Sequence, residues 1–173
     1  MAGARRLHHL HDGAIGVPWF PALIVAASLL AAMPTISHAG GKHVAPVDDP
    51  LIKKVCGECH MAFPPGLLPG RSWSALMRDL SDHFGDEIVL PAAQATQIEA
   101  YLVSQAGDAA AGRGLRDFMR WVAPTGVPRR ITENSAFLRE HDFPDRVWRN
   151  PKVVTKSNCP ACHAGASQGW FDD

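Results

Sequence analysis

Two stretches of this 173-residue sequence place two cysteines and a histidine in the same register: Cys56-Gly57-Glu58-Cys59-His60 and Cys159-Pro160-Ala161-Cys162-His163. Cysteines three apart share one face of a helical turn, so both thiols can form thioethers with the two vinyl groups of one haem. The histidine that follows is then carried under the iron as its proximal ligand. No other cysteine occurs in the chain. Two disulfides are the ordinary reading of four cysteines in an oxidising compartment, but that reading leaves a histidine directly after each pair unexplained. A thioredoxin-like pair needs a βαβ context, and the sequence shows none. A four-cysteine zinc site typically separates its pairs by about 12–20 residues, whereas nearly the whole mature chain lies between Cys59 and Cys159. The motifs therefore predict two haem c groups, attached at Cys56 with Cys59 and at Cys159 with Cys162, with His60 and His163 as proximal iron ligands.

Three further histidines follow Ala39, namely His43, His83 and His141, together with the methionines Met61, Met77 and Met119. His83 is the leading distal ligand for the first iron. Trp73, Leu76, Met77, Leu80 and Phe84 recur at helical spacing, and His83 falls on the same side near the end of that run. Met77 shares the stripe and is the alternative, though its more ordinary use is packing. His141 is the natural distal ligand for the second iron, following Phe137 and Leu138 at helical spacing in a short segment, Asn134 to His141. Charged neighbours, Arg139, Glu140 and Asp142, leave open that it is simply an exposed histidine. His43 lies in a Gly/Lys/Pro-rich leader that reads as a mobile terminus and is the spare.

The elements that must position these groups are mostly helical. In the first half a haem-bearing helix runs near Pro50 to His60, with Asp48 or Asp49 before Pro50 as its start. A Pro/Gly-rich loop from Phe63 to Gly70 follows, then a helix from Ser72 to Phe84 stopped by Gly85. Pro91 opens a third helix that buries Ile98, Tyr101 and Leu102. Gly107 and Asp108 mark a boundary. In the second half Leu115, Phe118, Met119 and Val122 suggest one amphipathic helix, ended by Pro124 to Pro128. Turn-rich chain then leads to the second motif, where Ser157 or Asn158 can cap the turn holding Pro160. Trp121, Trp148 and Trp170 are expected to pack on the haem or on one another. The fold class is therefore mainly α, with two small haem-binding domains, 40–107 and 108–173, the second irregular and helix-poor. Segments of this size are marginal alone, so each haem must supply much of its core.

Residues 1–39 read as a cleaved signal peptide: Arg5 and Arg6 form a positive start, an apolar run follows from Val17 to Met33, and Ser37-x-Ala39 suits signal peptidase. The run is shorter than the roughly 20 residues of a membrane span, so export to the periplasm is expected rather than a retained anchor. Lys plus Arg and Asp plus Glu each number 17, for zero formal charge. No long run of one sign appears, so neither nucleic acid nor an anionic membrane surface is suggested as a partner.

The chain resembles the periplasmic dihaem cytochromes c, usually abbreviated DHC. The likeness rests on Cys56-Gly57-Glu58-Cys59-His60-Met61-Ala62-Phe63-Pro64-Pro65-Gly66-Leu67-Leu68-Pro69, on Trp73 to Leu80, and on His83-Phe84-Gly85-Asp86. It continues in Arg130-Ile131-Thr132-Glu133, Phe137-x-Arg139-Glu140-His141 and Asn158 to His163, and so covers nearly the whole mature chain. The resemblance implies a class I cytochrome c-like N-terminal domain, a C-terminal domain of its own type, and two histidines on each iron, His60 with His83 and His163 with His141. It also implies redox partners: a small oxygen-binding monohaem cytochrome c as acceptor and a membrane b-type cytochrome as donor, with only transient proximity to the membrane.

Two histidines on an iron leave no open coordination site, so the expectation is an electron-transfer protein rather than an enzyme. The alternative is a dihaem peroxidase or small-ligand reductase, which needs one open haem and a nearby acid/base group. His141 beside Arg139 and Glu140 would supply such a group if it were not a ligand.

Overall fold

Helix α1, Pro50–Cys56, starts where the sequence places it: the Asp49 carboxylate accepts hydrogen bonds from the Leu51 and Ile52 amides at 2.8 and 3.1 Å, and Pro50 occupies the first turn. The computed structural model describes residues 43–109 and 118–172, all within one compact unit, His38–Asp173. The expected signal peptide, and the Leu115 end of the fourth expected helix, lie outside the described residues. The other helices are α2, Gly70–Arg78, α3, Ala92–Ser104, α4, Ser135–Glu140, and α5, Asp145–Trp148, joined by short 3-10 turns. Among the described residues there is no strand, only isolated bridges, and no helix is long and apolar enough to cross a membrane. The protein is mainly helical, and among the described residues the helices given for its second half are short.

Two helices stop earlier than their periodicity suggests. α1 ends at Cys56 with Gly57 as its cap, so His60 stands beyond the helix. α2 ends at Arg78 rather than continuing to Phe84. Asp79 leaves the helical region at φ −125°, its amide bonds the Leu76 carbonyl at 3.1 Å, and its carboxylate is drawn 2.8 Å from Arg129. Leu80–Asp82 then form a 3-10 turn. A contact from the far half of the chain thus competes with helix continuation, and a periodicity argument has no access to it.

The main core joins α1, α2 and α3 with the chain around them: Val47, Ile52, Leu68, Trp73, Leu76, Ile98, Leu102 and Ala106 are buried together, with Met77 packed against them. Trp73 Nε1 donates to the Pro65 carbonyl at 2.7 Å, so the burial of its indole leaves no unmet donor. Gly107 and Asp108 are both anchored to the start of α2 and the loop before it. The Gly107 amide donates to Leu68 O at 2.9 Å, and Asp108 accepts from the Gly70 amide at 2.7 Å and pairs with Arg71 at 3.2 Å. Arg71 also donates to the carbonyls of Gly126 and Ala123, at 2.6 and 2.9 Å, fastening the turn before the second half to α2.

The leader is not loose at His43. The His43 ring lies 4.2 Å from that of Trp170, the Val44 amide donates to Gly169 O at 2.9 Å, and Val44 is buried with Leu67 against Phe118, Ile131 and Phe171. The start and end of the described chain are therefore stitched together. Gly169 makes this possible with φ +83°, where a Cβ would also run into the Val44 carbonyl. The tryptophans take separate partners: Arg139 lies over Trp121, Trp148 meets Phe137, His141 and Phe143, and Trp170 meets His43.

Gly169→Ala is expected to lower holoprotein stability by at least about 1–2 kcal/mol, from the left-handed backbone alone; thermal melts check this. A second expectation concerns pH. Tyr101 Oη donates to Asp48 at 2.6 Å and accepts from its amide at 3.1 Å, and this bond holds the Asp48 carboxyl below its ordinary range. A carboxylate favoured in the folded state stabilises it above the unfolded pKa of about 4, and that contribution fades as pH falls through the folded value. Tyr101→Phe should therefore melt below the native protein at neutral pH, with a gap that narrows in acid.

Candidate metal centres

The second motif is built by one carbonyl. Cys159 O accepts from the Cys162 amide at 3.1 Å and from the His163 amide at 2.8 Å, closing a 3-10 turn, Cys159–Ala161, that Pro160 helps to open. The turn gathers both thiols and the imidazole on a few residues. Asn158 assists without its side chain capping the turn; Nδ2 instead donates to Val153 O at 3.0 Å. In the first motif α1 delivers Cys56, and the turn after Gly57 delivers Cys59 and His60. No disulfide joins any of the four cysteines; Cys56 and Cys159 are partly buried, while Cys59 and Cys162 are exposed.

Each motif histidine faces a second imidazole. The His60 and His83 ring centroids are 6.2 Å apart with planes 21° from parallel. His141 and His163 are 5.9 Å apart with planes at 77°. Two imidazoles bound on opposite sides of one metal, with bonds of about 2 Å and ring radii of roughly 1 Å, would hold their centroids about 6 Å apart. Both spacings fit.

Local hydrogen bonds select which nitrogen keeps its lone pair on one ring of each pair. His60 Nδ1 lies 2.7 Å from Met61 O, and His141 Nδ1 lies 3.0 Å from Phe137 O. A carbonyl only accepts, so each Nδ1 carries the proton and each Nε2 keeps its lone pair for a metal. Nδ1 of His83 is buried with no hydrogen-bond partner. Burial, and then the nearby His60, hold the His83 pKa below its ordinary value. Neutral imidazole is the form that binds a metal.

His83 reaches this position on a tight turn rather than on the helical stripe read from the sequence. Its amide donates to Asp86 O at 2.8 Å, and Phe84 and Gly85, the two residues between, adopt φ of +62° and +106°. The left-handed conformation of Phe84 costs on the order of 1–2 kcal/mol, so other contacts must hold it. Asp82 accepts from the Gly85 amide at 3.0 Å, and the Arg130 guanidinium lies 3.9 Å from the centre of the Phe84 ring. A cavity of about 440 Å³ beside the turn is lined by Asp82, Phe84, Val127, Arg129, Arg130 and Glu133. Periodicity did not point to Arg129 or Arg130; the only trace of them was the Arg130 to Glu133 run within the family likeness.

Among the described residues, no group of three or more His, Cys, Asp or Glu is placed to hold a bare metal ion. Donors in facing pairs suit a metal whose other positions are filled by a macrocycle, and each pair has two thiols of its own motif nearby in sequence. The residues present therefore fit a covalently attached haem in each half.

Comparison with known proteins agrees. A model of the dihaem cytochrome c family matches residues 52–171. A solved structure described as a dihaem cytochrome c from Rhodobacter sphaeroides is similar at 44% identity and a TM-score of 0.66, over 74% of this chain and 100% of the other. A second structure, of DHC purified from Rhodobacter sphaeroides, gives 42% identity and a TM-score of 0.60 over 73% and 99% of the two chains. The new dihaem cytochrome type c from Shewanella baltica OS155 gives 37% and 0.58 over 71% and 86%. No curated protein matches. With its family model spanning most of the sequence and a solved dihaem cytochrome c similar at 44% identity, the chain belongs to the dihaem cytochrome c family and carries two haem c groups.

Proposed function

We propose that this protein is a periplasmic electron relay in which both irons are closed by two histidines. The observation that carries this reading is the pair of facing imidazoles in each half. Cys56 and Cys59 hold the first haem and Cys159 and Cys162 the second, with His60 and His163 as proximal and His83 and His141 as distal ligands. When bound, the haem supplies reversible one-electron exchange at its iron, at a lower potential with two histidines than with histidine and methionine. The chain's own residues then exclude substrates from the metal. His60 and His141 are oriented by the carbonyls of Met61 and Phe137, and His83 is kept neutral by burial. With no free coordination position, neither side chain nor solvent has an acid/base task there.

The division into two haem domains, 40–107 and 108–173, belongs to this reading. It is supported by each facing pair being drawn from one side of residue 107. So does the class I cytochrome c-like character of the first domain, which has its haem motif at the end of α1 and its core on α2 and α3.

Charge supports a relay with two different ends. Residues 43–109 contain four Lys and Arg against nine Asp and Glu, whereas residues 118–172 contain eight against five. A chain that is neutral overall thus presents an acidic first half and a basic second half, which can orient partners of opposite sign. In this reading a membrane b-type cytochrome donates electrons and a small oxygen-binding monohaem cytochrome c accepts them, through brief contacts of small area. The signal peptide, residues 1–39, delivers the chain to the compartment where both partners would meet it.

Low-temperature EPR of the oxidised holoprotein tests the ligation. Two low-spin signals are expected, and they should differ in anisotropy because one imidazole pair is near-parallel and the other near-perpendicular. The reduced protein should bind no carbon monoxide. A high-spin signal or carbon monoxide uptake in the native protein would instead favour a ligand-binding or peroxidase role. His83→Ala and His141→Ala should each convert one signal, and only one, to a form that takes up carbon monoxide on reduction.

A further inference from the structure

The distal ligands of the two metal centres are joined by one short piece of chain, and we propose that residues 129–141 form a shared brace that positions both. This rests on the ligand assignment above and goes beyond it, since it gives positioning roles to Arg129, Arg130 and Asn134, none of which touches an iron.

At its first end the brace clasps the His83 turn from two directions. Arg129 pairs with Asp79 at 2.8 Å, at the point where α2 stops and the chain turns toward His83. Arg130 lies over the Phe84 ring at 3.9 Å, and Phe84 is the residue beside His83 with the left-handed backbone. The two arginines are themselves set by Glu133. One of its carboxylate oxygens accepts from both arginine amides at 3.2 Å, and the other lies 3.7 Å from Arg130 Nε. Those bonds cap the 3-10 turn Ile131–Glu133, which is closed by backbone bonds from Glu133 N to Arg130 O at 2.9 Å and from Asn134 N to Ile131 O at 3.1 Å.

The middle of the brace is Asn134, whose side chain is fully buried. Nδ2 donates to Leu67 O at 3.2 Å, in the loop after the first haem motif, and Oδ1 accepts from the Ala136 amide at 2.9 Å. The second bond caps α4. The far end of α4 is His141, whose amide and Nδ1 both meet Phe137 O, at 2.9 and 3.0 Å. Phe137 is buried and its ring lies 4.0 Å from the His141 ring, only 10° from parallel. Asn134 thus joins the turn that sets Arg129 and Arg130 beside His83 to the helix that ends at His141. A turn that is costly for Phe84 has no reason to persist without the contacts on its outer side. Releasing the clasp frees His83 to leave its iron while His60 and the thioethers stay.

The test uses the holoprotein and variants of residues that touch no iron. Asp79→Asn with Arg130→Gln removes the ion pair and the cation over Phe84. The expected result is carbon monoxide uptake at the first haem, where the native protein shows none, reflecting a population with His83 displaced. The near-parallel low-spin signal should weaken and the near-perpendicular one stay unchanged. Each single variant should show the same change to a smaller degree, and Asp79→Glu with Arg130→Lys should restore native behaviour. Asn134→Ser should open both haems to uptake. Unchanged uptake and unchanged EPR in the double and both single variants would overturn the clasp, and an Asn134→Ser effect confined to one haem would overturn the shared brace. Native protein that already takes up carbon monoxide, or His83→Ala that keeps its low-spin signal, overturns the proposal through the ligand assignment itself.

Discussion

The fold turns on one geometric feature: two pairs of imidazoles, His60 with His83 and His141 with His163, stand about 6 Å apart. One member of each pair arrives with its two cysteines on a single turn, because the spacing of the motif leaves it no other place. The other member comes from a segment more than twenty residues away. It must be aimed by contacts of its own, and the two halves solve this differently. His83 sits on a turn whose backbone is left-handed at two successive residues, while His141 ends a short helix and is fixed by the carbonyl one turn behind it.

The apolar core is modest and lies mostly with α1, α2 and α3. The second half contributes few buried residues, and its structure depends on polar stitching to the first. Asn134 reaches Leu67, Arg71 reaches the turn at Ala123 and Gly126, and Val44 pairs with Gly169. A buried amide that loses one partner leaves another group unsatisfied, so such bonds fix relative position more sharply than apolar contact of similar extent. In a member of an electron-transfer family, a fixed position of the cofactor is a functional property. Reorganisation around an iron is kept small when the ligands cannot shift.

The separation of charge between the halves adds a long-range feature to this local rigidity. Zero net charge says nothing about it, because the imbalance is a matter of where residues fall along the chain. Within a Debye length of about 8–10 Å, a partner feels the half it approaches and not the sum.

The sequence by itself determined the cofactors. Two thioethers and a histidine need residues within one helical turn, and such local chemistry is written in consecutive letters, as is the capping of α1 by Asp49. It also carried the helical character of the first half, since Ile98 and Leu102 must share a face. It misjudged where α2 ends, how His83 is presented and whether the leader at His43 is tied down. These depend on Arg129 meeting Asp79, Arg130 meeting Phe84, and Trp170 meeting His43, contacts between residues far apart in the chain. Only the tertiary structure decides such contacts, because the energy that stops a helix or holds a left-handed residue there comes from a partner that periodicity cannot see.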